Sequence, residues 1–277
     1  MENAPTTHPP DLYNARTIAK GVPGFEAVTD GDLARYHDQG YLVVEGAFSE
    51  AEVGAALQGL LDLIAGRHPT FDDFDIEAPA KAQWPMLQGE ARQDAVRKLM
   101  NFTPCDARLH TIAEHPKLVA LLARLMGAPP ERFQDMALIK PPRIGREKPW
   151  HQDCAYFDLP LDTKVVGVWI ALDAATIENG CMHVLAGGHR EGPRLHFQRR
   201  DWQICDTEML GKTSVAVPLK PGGCLLFDGL LPHGTPHNTS SLRRRALQFH
   251  YRPAGVLPIA REERLAVFGG EGHHGSC

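Results

Sequence analysis

The half of the chain that follows residue 134 or so limits the fold most. It breaks into short runs rich in β-branched and aromatic residues, "MALIK", "VVGVWIAL", "MHVLA", "TSVAVPL", "GCLLFDG" and "RRALQFHY". Turn clusters separate them: "PPRIG", "IENG", "AGGHREGP", "KPGG" and "PHGTPHN". Glycine and proline in such clusters supply the backbone angles that turns need and interrupt regular ladders. Short strands at turn-punctuated intervals pair into a β-sandwich or barrel.

Ahead of them the pattern is helical. Thr29 or Asp30 can cap a short helix ending near Gly40, and "YLVVEGAF" reads as a strand. Ser49 and Glu52 have capping-box spacing before a helix with apolar Val53, Ala56, Leu57, Leu60, Leu61 and Ile64. A polar stretch at 67–92 reads as an irregular binding loop or lid, and "HTIAEHPKLVALLARLMG" as one helix ending at Gly127. The fold class expected is mainly β (α+β), a barrel buttressed by N-terminal helices. A single domain is expected at 29–265, with a flexible N-terminal arm at 1–28 and a flexible tail at 266–277. Glycines surround His273, His274 and Cys277, so the tail reads as frayed rather than metal-binding.

Charge and composition exclude whole classes. A formal net charge of −5 argues against a nucleic-acid binder, and the runs Arg199-Arg200 and Arg243-Arg244-Arg245 are too short to reverse it. No apolar run is long enough to span a membrane. The first residues lack the apolar core of a signal peptide, and the six cysteines form no C-x-x-C pair. Reduced thiols and a cytoplasmic location are therefore expected. The expected partner is a small-molecule substrate, and monomer and homodimer both stay open.

The chemistry starts at "KPWHQDCAYF". In a strand, His151 and Asp153 point the same way and can reach one ion. Alone, such a triplet is common and equally suits a solvated strand end. His233, 82 residues on at the end of an apolar run, could supply a third ligand; His237 in the same turn competes for that place. Two histidines and one carboxylate with open positions opposite form the usual site of non-haem iron(II) oxygenases. A 2-oxoglutarate co-substrate would then need a guanidinium for its far carboxylate. Arg244 shares a strand face with Ala246, Gln248 and His250, while Arg243, Arg245, Leu247 and Phe249 share the other. The first set suits a ligand-lined interior and the second an outer face under helices.

Taken together, "DGDLARYHDQGYLVVEGAFSEAEV", "MALIKPP", "PWHQDCAYF", "VVGVWIALDAATIENGCMHVLAGGH" and "LLPHGTPHNTSSLRRRALQFHY" resemble the phytanoyl-CoA dioxygenase (PhyH) family of iron(II)/2-oxoglutarate oxygenases. The resemblance covers most of residues 29–252, in the family's order. It implies a double-stranded β-helix (jelly-roll, cupin-like) barrel. It also implies His151, Asp153 and His233 as catalytic iron ligands and Arg244 on the far carboxylate of 2-oxoglutarate, with Thr235 beside it. Trp169, Met136, Gln152 and Lys98 fall at further cofactor positions. The implied cofactors are Fe(II), 2-oxoglutarate and O2, with ascorbate supportive in vitro. The implied reaction hydroxylates an unactivated C–H bond while 2-oxoglutarate and O2 become succinate and CO2. Relatives that halogenate carry Ala or Gly at the ligand carboxylate, so Asp153 points to hydroxylation.

Alternatives remain at this level. The same chemistry can end in desaturation, epimerisation or cyclisation of a natural-product intermediate. A non-catalytic metal-binding cupin-like barrel would need no Arg244. His183, His189, His196 and His250 read as structural or surface residues, with His250 the one closest to the interior set. Lys140, Arg190, Arg194, Arg199 and Arg200 read as solvated or as contacts for an anionic substrate. Specificity is expected to lie in loops 67–92 and 190–212.

Overall fold

The computed structural model describes residues 8–270. Strands β1 (Ala15–Ile18) and β2 (Val22–Pro23) precede helix α1 (Asp30–Gln39), strand β3 (Tyr41–Glu45) and helix α2 (Glu50–Ile64). Reciprocal capping boxes, Thr29 with Asp32 and Ser49 with Glu52, start the two helices. Each satisfies amides that a helix leaves without partners at its first turn. Gly40 ends α1 in the left-handed region at φ 80°, where a side chain is disfavoured.

The stretch expected as an irregular loop contains order of its own. β4 (Phe74–Ile76) and helix α3 (Gly89–Ala95) lie in and beside it, and β5 (Val96–Met100) follows. The segment expected as one helix is two, α4 (Ala107–Ala113) and α5 (Pro116–Met126). Pro116 cannot continue a helix through His115, because it lacks an amide proton and clashes with the preceding turn. It opens α5 instead, where an amide would have had no partner.

The remaining strands are β6 (Pro130–Lys140), β7 (Lys148–His151), β8 (Val166–Ala171), β9 (Met182–Val184), β10 (His196–Gln198) and β11 (Trp202–Ile204). After helix α6 (Asp206–Met209) come β12 (Ser214–Val217), β13 (Cys224–Asp228), β14 (His233–Thr235), β15 (Arg244–Pro253) and helix α7 (Arg261–Phe268). An eight-stranded sheet runs β2-β3-β13-β8-β15-β6-β5-β4 and a five-stranded sheet β1-β12-β9-β14-β7, with β10 and β11 a separate hairpin.

Strand alternation divides the core in two. Val168, Ile170, Leu247 and Phe249 leave the large sheet on the side of α2, α4 and α5 and share one cluster with those helices' Leu60, Leu63, Leu109, Leu118 and Leu122. Trp169, Ala171, Leu225 and Ala246 leave it on the opposite side and meet Met182, Val184, Ala216 and Val217 of the small sheet. Full burial of a residue such as Leu247 or Phe249 contributes roughly 2 kcal/mol by area. The interior and exterior faces expected for β15 are the ones observed. The structure is a mixed α and β architecture of two sheets face to face, with helices covering the larger.

Two expectations about the ends need correction. The arm at 1–28 is folded from residue 8 onward: Leu12 is buried, its carbonyl accepts from Trp150 Nε1 at 3.0 Å, and β1 pairs in parallel with β12. Leu12, the Tyr13 ring stacked on Trp150 and the edge of β12 together order a polar segment. At the other end α7 carries the chain to Phe268, which is buried against Ala155 and Trp202, so 266–268 belong to the folded body. His273, His274 and Cys277 lie outside the described residues. No described helix is long and apolar enough to cross a membrane.

Candidate metal and anion site

β7 and β14 are antiparallel neighbours, and their register sets His151 directly opposite His233. The two rings lie 4.2 Å apart, centroid to centroid. Gly234 allows this close pairing, since a Cβ there would come within 3.0–3.1 Å of the Tyr13 hydroxyl, the Lys148 carbonyl and the Trp150 amide. The strand ends at His151, and Asp153 opens a 3-10 turn (Asp153–Tyr156) rather than continuing β7. The turn still brings its carboxylate back to the imidazoles. Asp153 Oδ1 is 3.3 Å from His151 Nε2 and 3.6 Å from His233 Nε2. All three residues are buried, and their donor atoms lie within 4.8 Å of one another.

Each ligand is oriented from behind. His151 Nδ1 lies 2.7 Å from the Pro149 carbonyl and His233 Nδ1 2.9 Å from the Leu231 carbonyl. A carbonyl only accepts, so both Nδ1 atoms carry the proton and both Nε2 lone pairs face Asp153. On the carboxylate, Oδ2 accepts from His250 Nε2 at 2.7 Å and from Gln248 Nε2 at 3.2 Å, which leaves Oδ1 toward the histidines. The His250 ring is fully buried against Phe157.

Electrostatics match that geometry. Burial pushes the His233 ring down to about 3, helped by repulsion from His151, so it presents a lone pair at neutral pH. Burial opposes ionisation of Asp153, but the imidazoles around it and the hydrogen bond from His250 outweigh it. Its carboxyl is held well below the usual range. Two imidazole nitrogens and one carboxylate on one side of a cavity suit iron(II).

The cavity beside these residues has a volume of about 520 Å³. Arg244 lines it from the start of β15, 2% exposed, its guanidinium 5.2 Å from the Trp169 ring centre. Its Nε and Nη1 have no acceptor among the described residues. Burial lowers it to about 10. An arginine with idle in-plane donors in a buried pocket fits a carboxylate, which accepts two parallel bonds.

Trp169, Met136, Lys98 and Thr235 line the same cavity as His151, Asp153, His233 and Arg244. Gln152 does not. Its amide donates to the Gly192 and Leu230 carbonyls at 2.9 and 2.7 Å, and its Oε1 accepts from the Arg194 amide at 2.7 Å. The expected cofactor contact is thus a brace behind the ligands: the backbone at Gln152 is still extended (φ −116°, ψ 131°), so alternation points its side chain away from the face that His151 and Asp153 share. His237 is also set apart, with Nε2 2.8 Å from the Arg143 carbonyl, so His233 is the histidine that joins the cluster. His183 and His196 bond to Ser214 Oγ and to the Gln152 amide.

Functional neighbours that sequence reasoning left undecided are His250, Gln248 and Lys140. Alternation in "MALIK" puts Met136, Leu138 and Lys140 on one face, and that face lines the cavity. At the mouth, Lys148 donates to the Tyr156 hydroxyl and to Asp201, each at 2.9 Å, and Arg97 reaches Asp201 at 3.3 Å. Arg200 is spent on Glu147 and Asp206, Arg190 on Asp38, and Arg194 on Glu208 and Glu191. Those loop arginines are committed to the protein's own acids.

The family model for phytanoyl-CoA dioxygenase (PhyH) matches residues 36–246. "Phytanoyl-CoA dioxygenase domain-containing protein 1" of Danio rerio is 27% identical over 263 residues, covering 81% of this chain and 90% of that protein. Among solved structures, EvdO2 from Micromonospora carbonacea complexed with 2-oxoglutarate is 25% identical, with a TM-score of 0.62 and coverage of 84% and 94%. The epimerase SnoN in complex with Fe3+, α-ketoglutarate and nogalamycin RO is 20% identical, with a TM-score of 0.66 and coverage of 83% and 86%. At that identity it speaks to the fold alone.

Proposed function

The chain belongs to the phytanoyl-CoA dioxygenase family, and from that premise we propose that it is an iron(II)- and 2-oxoglutarate-dependent oxygenase that hydroxylates an unactivated C–H bond of a small molecule. In this reading its two sheets form a double-stranded β-helix. The observation that carries the reading is the meeting of two imidazole lone pairs and a carboxylate oxygen in one cavity with a buried, acceptor-free arginine. A non-catalytic metal barrel has no use for that arginine.

His151, Asp153 and His233 would hold the metal, which with 2-oxoglutarate and O2 supplies the oxidising power as the co-substrate becomes succinate and CO2. The remaining work belongs to the chain. Pro149 and Leu231 carbonyls fix the imidazole tautomers, and His250 and Gln248 fix the carboxylate. Arg244 orients the co-substrate by its far carboxylate, with Thr235 and Trp169 beside it. The walls at Met136, Phe157 and Met182 keep water from the reacting centre. We read the location as cytoplasmic.

The test is direct. Pure protein with Fe(II), 2-oxoglutarate, ascorbate and O2 should form succinate above background with a member of a broad small-molecule panel. A product heavier by one oxygen marks hydroxylation. A product lighter by two hydrogens marks desaturation or ring closure, and one of unchanged mass marks epimerisation. No 2-oxoglutarate binding and no succinate with any substrate would remove the enzyme reading.

A further inference from the structure

Lys140 ends β6 directly opposite Arg244 of β15, and the two are 4% and 2% exposed. Like charges set opposite each other on neighbouring strands repel, and burial in low dielectric magnifies the cost. Neither forms an ion pair with a carboxylate among the described residues. The acids that act on them through space are occupied elsewhere. Glu147 holds Arg200 and the Tyr13 hydroxyl, and Asp173 holds Arg245. Burial and the facing Arg244 push the Lys140 ammonium well below the usual lysine range, so its charge is kept beside Arg244 only when something else supplies a negative charge.

Lys140 also has a structural grip. Its Nζ donates to the Thr235 carbonyl at 3.1 Å and to the Pro236 carbonyl, so the large sheet is tied to the strand end just beyond His233. The passage for its side chain is walled by glycines: a Cβ at Gly145 would strike Lys140 Cβ, and one at Gly180 would strike the Pro236 carbonyl and crowd Lys140 Nζ. An ammonium has three protons, and these two carbonyls take two of them. The third donor and the charge belong to a side chain that lines the cavity beside Arg244 and Thr235.

We propose that Lys140 is a positioning residue for 2-oxoglutarate: it holds the Thr235–Pro236 main chain beside Arg244 and adds a second positive charge on which the far carboxylate is seated. This rests on reading the cavity as a 2-oxoglutarate site. A lysine that served only to tie the sheets would affect every 2-oxo acid alike. A lysine that balances the far carboxylate discriminates between acids that have one and acids that do not.

The experiment measures anaerobic binding to the Fe(II)-loaded protein by calorimetry, for 2-oxoglutarate and for 2-oxopentanoate, which has a methyl group in place of the far carboxylate. Lys140→Met removes the charge and both hydrogen bonds; Lys140→Gln keeps an amide donor without charge; Lys140→Arg keeps the charge. The Met and Gln variants should bind 2-oxoglutarate about tenfold more weakly and 2-oxopentanoate within twofold of wild type, with Arg between them and wild type. Equal losses for both acids, or no loss for either, overturn the inference. Melting curves select the variants that fold, and if none does, Lys140 is an element of the fold and the inference falls. Wild-type protein that fails to bind 2-oxoglutarate at all brings down the site reading along with it, whereas normal binding by all variants brings down the inference alone.

Discussion

The cavity holds two clusters that are incomplete in opposite senses. Around Asp153 the chain presents lone pairs: two Nε2 atoms and one carboxylate oxygen, each fixed from behind by a hydrogen bond to the other end of the group. Around Arg244 it presents protons: idle guanidinium N–H groups and a neighbouring ammonium, with no carboxylate to receive them. The first cluster calls for a cation and the second for an anion. Both come from strand pairing, β7 with β14 for the histidines and β6 with β15 for the cations. A site built across two facing sheets can therefore take a metal and a charged co-substrate together. The two halves should also be separable by mutation.

Arg244→Met is the sharpest attempt to separate them. Removing one member of a buried charge-assisted pair costs about 3 kcal/mol, so 2-oxoglutarate affinity should fall about 100-fold. Iron titration in the absence of any co-substrate should be unchanged, because the hydrogen bonds that orient the three ligands come from Pro149, Leu231, His250 and Gln248 and not from Arg244. A parallel loss of iron would show that the clusters are one unit.

His250→Phe makes the reverse cut. It takes away the donor that turns Asp153 Oδ2 from the cavity and leaves only Gln248, at 3.2 Å. Partners behind a metal ligand are typically worth about 10–100-fold in metal affinity or activity, and that loss should appear in an iron titration. Preference for 2-oxoglutarate over 2-oxopentanoate should stay at the wild-type value. Unaltered iron affinity would mean that Gln248 alone orients the carboxylate.

How much of this could be read beforehand follows from the range of each interaction. His233 shared its turn with His237 and was chosen by the family resemblance, whereas His151 with Asp153 and the inward face of Arg244 were legible because a strand's two-residue period places them locally. The large sheet's two faces were legible for the same reason, down to Leu247 and Phe249 under the helices. Gln152 was misplaced because its position came from the family resemblance, whereas the strand period that puts His151 and Asp153 on one face puts residue 152 on the other, as the extended backbone there does. The role of His250 was hidden because its partner lies 97 residues away. β1 was missed because its order comes from the edge of β12 and the cover over Trp150, not from its own composition. Lys140 was left open between a solvated lysine and a contact for an anionic substrate, because its meaning needs the observation that it is buried and that no acid among the described residues pairs with it.

The smallest effect concerns the brace that holds the ligand turn. His196 Nδ1 donates to the Arg194 carbonyl at 2.9 Å, and its Nε2 accepts from the Gln152 amide at 3.1 Å, directly between the two ligands on that turn. A protonated ring would set N–H against N–H there, and burial pushes the ring down to about 3. The unfolded chain therefore binds this proton as pH falls through 6.5, the ordinary value, while the folded chain does not until about 3. Stability is thus complete above neutral pH and is lost as pH falls through that window, by about 2 kcal/mol between pH 7 and 5 from this ring alone. His183, pushed down to about 4, and His233, to about 3, act in the same direction in wild type and variant and cancel between them. Thermal unfolding of metal-free wild type and His196→Gln at the two pH values should show the variant losing less by that amount. Equal losses would mean that the ring titrates normally and that the ligand turn is held by the Gln152 side chain without it.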